Sequence, residues 1–187
     1  MGISRRWYGL LAAVVFLFLI LLNVFKIQDA VASRFGYAGS VPMFTLDQMM
    51  GGYTPEKAFQ VMTTYGEAGR RAYAFLLLTI DLVFPFLYGS FLFLSIRSAS
   101  NKAGIPVTWA NGLAAFGYFA TGCDWLENFA FLRLMETYPG QSIRLVTLAS
   151  GFTIMKFVFS ACSLAILAAL GVLLLIQMQI RGGANLN

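Results

Sequence analysis

The chain has 187 residues, of which 59% are hydrophobic and 11% charged, with a net charge of +5, whereas roughly a quarter of an average soluble domain is charged. That balance points to lipid as the surrounding solvent, and the length leaves room for a single domain, 1–187, with no soluble second unit. The thirteen Lys and Arg form no run that could follow a phosphate backbone, so nucleic acid is excluded.

Trp7 to Phe25 is a run of 19 residues, interrupted only by Asn23 and preceded by Arg5-Arg6. At ~1.5 Å per residue it is just long enough for a hydrocarbon core of ~30 Å. Followed by Ala30-Val31-Ala32, it could also be read as a cleaved signal peptide. The apolar run exceeds the usual ~7–15 residues, which favours a retained helix. Ala72 to Ile96 is a second span, interrupted by Asp81 and Pro85, and Pro106 to about Leu132 is a third, interrupted by Asp124 and Glu127. The last apolar segment, Leu145 to Met178, holds the fourth at about 146–177; it is longer than a bilayer needs, so it must tilt or project, and Lys156 is its only charge. The expected fold is an all-α, integral membrane four-helix bundle.

The one long connection, Lys26 to Arg71, carries Asp29, Asp47, Glu56 and Glu67. Within it Thr54-Pro55-Glu56 reads as a helix start, with Thr54 as cap and Pro55 in the first position. Phe59, Val61 and Met62 then supply one apolar side, which predicts a short helix on the outer surface ending at Gly66. Lys and Arg near the ends of the spans divide evenly between the two sides, so the positive-inside rule gives no decision. These four and Glu136, the five loop carboxylates, lie on one side; both termini are taken as cytoplasmic.

Counted from the basic residues at the outer span ends, Asp81 is 10 residues past Arg71, Asp124 and Glu127 are 9 and 6 before Arg133, and Lys156 is 12 past Arg144. The four therefore lie about 9–18 Å below one surface. A charge at the bilayer centre costs ~2.5–3.5 kcal/mol on insertion scales and persists where it finds a partner or water. Helical spacing supports convergence. Arg70, Tyr73, Leu77, Asp81 and Pro85 form one line, a basic mouth leading past a phenol to a carboxylate. Gly117, Thr121, Asp124, Glu127 and Asn128 share a face of the third span, and Thr153, Lys156, Ser160 and Ser163 one of the fourth. Ala161, Ala165 and Ala169 form a small-residue stripe suited to close helix packing.

Three carboxylates face one lysine unless Arg70 or Arg133 folds inward, so at least one acid is expected to hold a proton, with Asp124 and Glu127 the pair to share it. Carbonyls freed by Pro85 near Asp81 would suit a cation, although a plain helix irregularity is the simpler reading. Histidine is absent, which removes Ser-His-Asp and Cys-His catalysis, HExxH zinc sites and histidine-ligated haem together. Cys123 and Cys162 form no CxxC pair and differ in depth by roughly 12 Å, too far for a disulfide. No cofactor and no resident metal is expected.

In its first half the layout resembles that of the small four-helix sterol isomerase and sigma-2 receptor superfamily: an acid just beyond the first span (Asp29), a partly helical outer loop, and a second span with an acid shortly before proline (Asp81 to Pro85). The resemblance implies a four-helix membrane fold; no active-site role is carried across. Three functions are open. The leading expectation is a membrane protein whose site at Asp81, Asp124, Glu127, Asn128, Lys156, Tyr73 and Arg70 binds or translocates a cation, a proton or a small amphiphile. With four spans and no internal repeat, transport by alternating access would require a homodimer. The alternatives are a lipid- or sterol-modifying isomerase using paired carboxylates and a structural or accessory subunit held by a buried ion pair.

Overall fold

A computed structural model of the chain describes residues 14–15, 26–39 and 42–184. The expected first span, Trp7 to Phe25, lies outside the described residues apart from Val14 and Val15, which are helical. Among the described residues the fold is all-α: α1 (Ile27–Arg34), α2 (Pro55–Lys102), α3 (Val107–Glu136) and α4 (Ile143–Ala184), with no strand.

Helix α2 begins as its sequence dictates. Thr54 is extended (φ −83°, ψ 159°), its hydroxyl accepts the Lys57 amide at 3.3 Å, and Pro55 takes the first turn, where its missing N–H is harmless. The Glu56 carboxyl is held below its usual range by its own backbone amide and by the Thr54 hydroxyl. Gly66, at φ 59° and ψ −169°, is the one non-helical residue inside α2. That conformation is open to glycine almost alone, so it divides a short leading helix from the long one.

The leading piece differs from expectation in its surroundings. It keeps one exposed side, at Glu56, Lys57, Gln60, Thr63 and Thr64, but its other side is packed within the protein, where Ala58, Val61, Met62 and Tyr65 are all buried. They are covered by the connection that precedes them: Tyr65 donates a hydrogen bond to the Pro42 carbonyl at 2.8 Å and meets Tyr37 edge-on, ring centres 5.6 Å apart. Residues 42–53 fold down over the helix ends and bury Met43, Phe44, Leu46 and Tyr53. Tyr53 stacks on Phe131 of α3 at 5.7 Å, and Phe44 meets Tyr73 of α2 edge-on at 5.5 Å. Phe44 adopts φ 61°, a left-handed conformation that costs a non-glycine residue of order 1–3 kcal/mol and persists where packing over-determines it.

The expected later spans fall within α2, α3 and α4. Two helices, α2 and α4, are long and apolar enough to cross a membrane, with mean hydropathy of 1.9 and 2.6 over their most apolar windows; α3 is not. Helix α3 lies between the other two, packed along both, and it carries the buried polar residues Thr121, Asp124, Glu127 and Asn128 that lower its hydropathy.

Close approach comes from glycine rather than from the predicted alanine stripe. A Cβ on Gly89 of α2 would sit 2.0 Å from Thr121 Oγ1 and 2.9 Å from the Gly117 carbonyl, and one on Gly117 would sit 2.9 Å from the Gly89 carbonyl. The two backbones touch at this pair. Ala161, Ala165 and Ala169 are instead exposed among the described residues, because α4 turns its Thr153, Lys156 and Ser163 face inward.

This contact is testable by thermal melting in detergent. Gly89→Ala should destabilise the protein by about 1–3 kcal/mol, the usual cost of overpacking. Gly112→Ala, where an added Cβ meets nothing within 4 Å, should be neutral or slightly stabilising. Equal melting of the two variants would refute a glycine-mediated crossing.

Candidate functional site

The site is built outward from Pro85. A proline inside a helix offers no N–H to the carbonyl four residues earlier, here that of Asp81. Helix α3 supplies the missing donor: Asn128 Nδ2 reaches the Asp81 carbonyl at 3.2 Å. On the same face Trp125 Nε1 donates to the Leu82 carbonyl at 3.0 Å, and Thr121 Oγ1 to the Pro85 carbonyl at 2.7 Å. Residues 121, 125 and 128 thus form a row of donors that fixes α3 against the proline turn of α2. The carbonyl suggested as a cation ligand is therefore already taken, by Asn128. Because a carbonyl only accepts, this bond also fixes the orientation of the Asn128 amide.

Lys156 occupies the centre, 5% exposed. Its ammonium contacts Asp47 Oδ1 of the inserted loop, Asp124 Oδ1 at 3.3 Å and Glu127 Oε2 at 2.8 Å. It makes directed hydrogen bonds to the first two; the Glu127 contact is one of proximity, Oε2 having no hydrogen-bond partner. Glu127 is completely buried, and its other oxygen accepts from Thr153 Oγ1 at 2.5 Å. Tyr88 donates to Asp124 Oδ2 at 3.0 Å. The loop is pinned a second time where Ser150 Oγ accepts the Tyr53 amide at 2.8 Å. Tyr53 Oη lies 3.4 Å from Thr153 Oγ1. Burial, with the Glu127 carboxylate nearby, pushes the Tyr53 phenol up, so it remains a neutral hydroxyl.

Asp81 stands beside this cluster without joining it. It is 8% exposed, makes no ion pair among the described residues, and its Oδ2 has no hydrogen-bond partner. One carboxylate oxygen each from Asp47, Asp81 and Asp124 nevertheless lie within 4.8 Å of one another. Asn128 Oδ1 and Tyr73 Oη are likewise buried without a hydrogen-bond partner.

The structure thus brings together Asp81, Asp124, Glu127, Asn128 and Lys156, with Tyr73 at the margin. Arg70 is placed elsewhere. Its guanidinium donates to the Met62 carbonyl at 3.1 Å and lies 3.7 Å over the Tyr138 ring. There it lines a separate cavity of about 320 Å³ with Glu67, Arg71 and Glu136. The expected basic mouth on the line to Asp81 is therefore turned aside, because Tyr138 and the Met62 carbonyl hold the arginine. Arg133 pairs with exposed Glu136, so neither arginine enters the site. Asp47, Tyr53 and Tyr88 were not singled out from sequence. Asp47 sits in a loop that also holds Met43, Phe44 and Leu46, and that apolar content was the available sign that the loop is buried. Cys123 and Cys162 are both free thiols.

Compared with known proteins, the chain matches no family model, no curated protein and no solved structure.

The donor row around Pro85 predicts a cost for Asn128→Leu. With the Asp81 carbonyl buried and unsatisfied, stability should fall by about 1–3 kcal/mol. Asn128→Gln, which keeps a donor, should recover part of the loss. Melting temperatures of the three proteins measure it, and an unaffected Asn128→Leu protein would refute the role of this bond.

Proposed function

We propose that the chain is a multi-pass membrane protein: a bundle of four spanning helices, at about 7–25, 72–96, 106–132 and 146–177, around a buried polar site that binds or translocates a cation, a proton or a small amphiphile. The termini are cytoplasmic in this reading. Its membrane part is supported by an inverted distribution of polarity. Phe75, Leu78, Leu82 and Phe86 of α2, Leu126 and Phe129 of α3, and Leu148, Leu164, Val172 and Leu175 of α4 are exposed, while the acids and Lys156 are inside. Water penalises exposed apolar faces of that extent, and acyl chains accept them.

One observation carries the functional part: Asp81 is buried beside two further carboxylates, yet it has no ion partner among the described residues and a bare oxygen. An ion pair that only fixed packing would have no use for it, since leaving a buried polar group unmatched costs about 1–3 kcal/mol. The Lys156 cluster, which joins the loop, α3 and α4, does favour a structural role for Lys156 itself. The isomerase alternative draws less support, because Asp124 and Glu127 both turn onto Lys156 rather than toward a shared apolar space.

Variants separate the roles. Lys156→Met should lower stability by about 3–5 kcal/mol, since it strands buried carboxylates. Asp81→Asn should melt within about 2–4 °C of the wild type, the shift expected of roughly 1 kcal/mol in a domain of this size. If Asp81→Asn collapsed as far as Lys156→Met, the cluster would be scaffold throughout and the binding reading would fail. Reporter fusions at the two ends should signal from the same side of the membrane; opposite sides would remove a span from the bundle.

A further inference from the structure

The carboxylates exceed what Lys156 can neutralise. Asp47, Asp124 and Glu127 surround one ammonium and Asp81 lies beside two of them, leaving a formal charge of −3 when all are ionised. Neither Arg70 nor Arg133 lends a compensating charge, being held by Tyr138 and Glu136. The excess is not spread evenly: it concentrates where oxygens of Asp47, Asp81 and Asp124 come within 4.8 Å of one another.

A second observation is independent of the acids. Asn128, 5% exposed, spends its Nδ2 on the Asp81 backbone carbonyl, and its Oδ1 is buried with no donor to accept from. A buried amide oxygen and a buried Asp81 carboxylate oxygen, each without a hydrogen-bond donor, are groups that protein alone leaves unfavourable and a cation completes.

We infer that Asp47, Asp81 and Asp124 form an oxygen-only site for one hard divalent cation in the size class of calcium, with Asn128 Oδ1 as a fourth ligand. This rests on the proposed binding function and narrows it. The donor set is carboxylate and amide oxygen. The chain has no histidine, and its thiols are outside the group, which disfavours zinc and copper. Three oxygens within 4.8 Å of one another leave a point at most about 2.8 Å from each, so shifts of a few tenths of an ångström bring all three acids to a calcium–oxygen bond of ~2.3–2.6 Å. Magnesium, at ~2.0–2.1 Å, demands a tighter octahedron and gives up its waters reluctantly. Lys156 shares Asp47 and Asp124 with the ion and opposes it, so the ammonium keeps binding weak and exchangeable.

The full chain purified in detergent and titrated with terbium chloride tests this. Trp125, adjacent to Asp124 and bonded to the Leu82 carbonyl, and Tyr88, bonded to Asp124, are placed to sensitise terbium luminescence. The expected result is one saturable site, emptied by calcium chloride at lower concentrations than by magnesium chloride and not by sodium chloride at matched ionic strength. Asp81→Asn should weaken binding at least ~10-fold, and Lys156→Gln should tighten it. Glu67→Gln, which removes an exposed acid paired with Arg71, should change nothing. Calcium should also raise the melting temperature of the wild type in a dose-dependent manner, a readout that needs no variant to fold. Absence of saturable binding and of the calcium-dependent shift in folded wild type would overturn the inference, as would equal affinity in Asp81→Asn. Those results leave the broader binding function standing if Asp81→Asn still melts like the wild type; collapse of Asp81→Asn removes both.

Discussion

The Lys156 ammonium is the point on which the described part of the molecule depends. It is buried, and a buried charge is tolerated only when paired and hydrogen-bonded. Its three partners come from two places in the chain, the loop at Asp47 and α3 at Asp124 and Glu127, and all meet a lysine of α4. The neighbouring Thr153–Glu127 and Ser150–Tyr53 bonds extend the same junction. Position of the loop, facing of α3 and rotation of α4 are therefore not independent. Each is set by the requirement that one cation be surrounded.

A second constraint acts on α2 and α3. Proline in a helix leaves a carbonyl without its donor, and out of reach of water that carbonyl must be satisfied from a neighbour. Asn128, Trp125 and Thr121 supply side-chain donors to three α2 carbonyls in succession. The backbones approach closely enough for this because Gly89 and Gly117 have no side chain at the crossing. Proline, the glycine pair and the donor row are one device, and its by-product is a buried Asn128 oxygen left without a donor.

Much of this was legible in the sequence where hydrophobic length and helical period speak directly. The stretches of α2, α3 and α4, the Thr54-Pro55 start and the Gly66 break follow from local rules. Depth counting placed Asp124, Glu127 and Lys156 together because a helix converts residue number into height. Asp47 escaped the same argument because a loop has no fixed rise, so nothing in its spacing reveals that it folds down to Lys156. Arg70 was misplaced for the opposite reason. Its position on the helix face is regular, but a long, flexible side chain is decided by whichever partner it finds, here Tyr138 and the Met62 carbonyl. The alanine stripe looked like a packing surface, yet spacing cannot say which of two competing faces of α4 turns inward. The lysine, drawn inward by three carboxylates, takes the inner one.

The bond between Asp47 and Lys156 spans 109 positions of the chain, which sets an order of assembly. Residues 42–53 emerge from the ribosome long before α4 is made, and the closing of so long a loop must wait for the last helix to arrive. Until then the acids of the loop and of α3 stand without their lysine. The final helix acts as the latch of the bundle, and a chain cut short before Lys156 would hold the carboxylates with nothing to gather them.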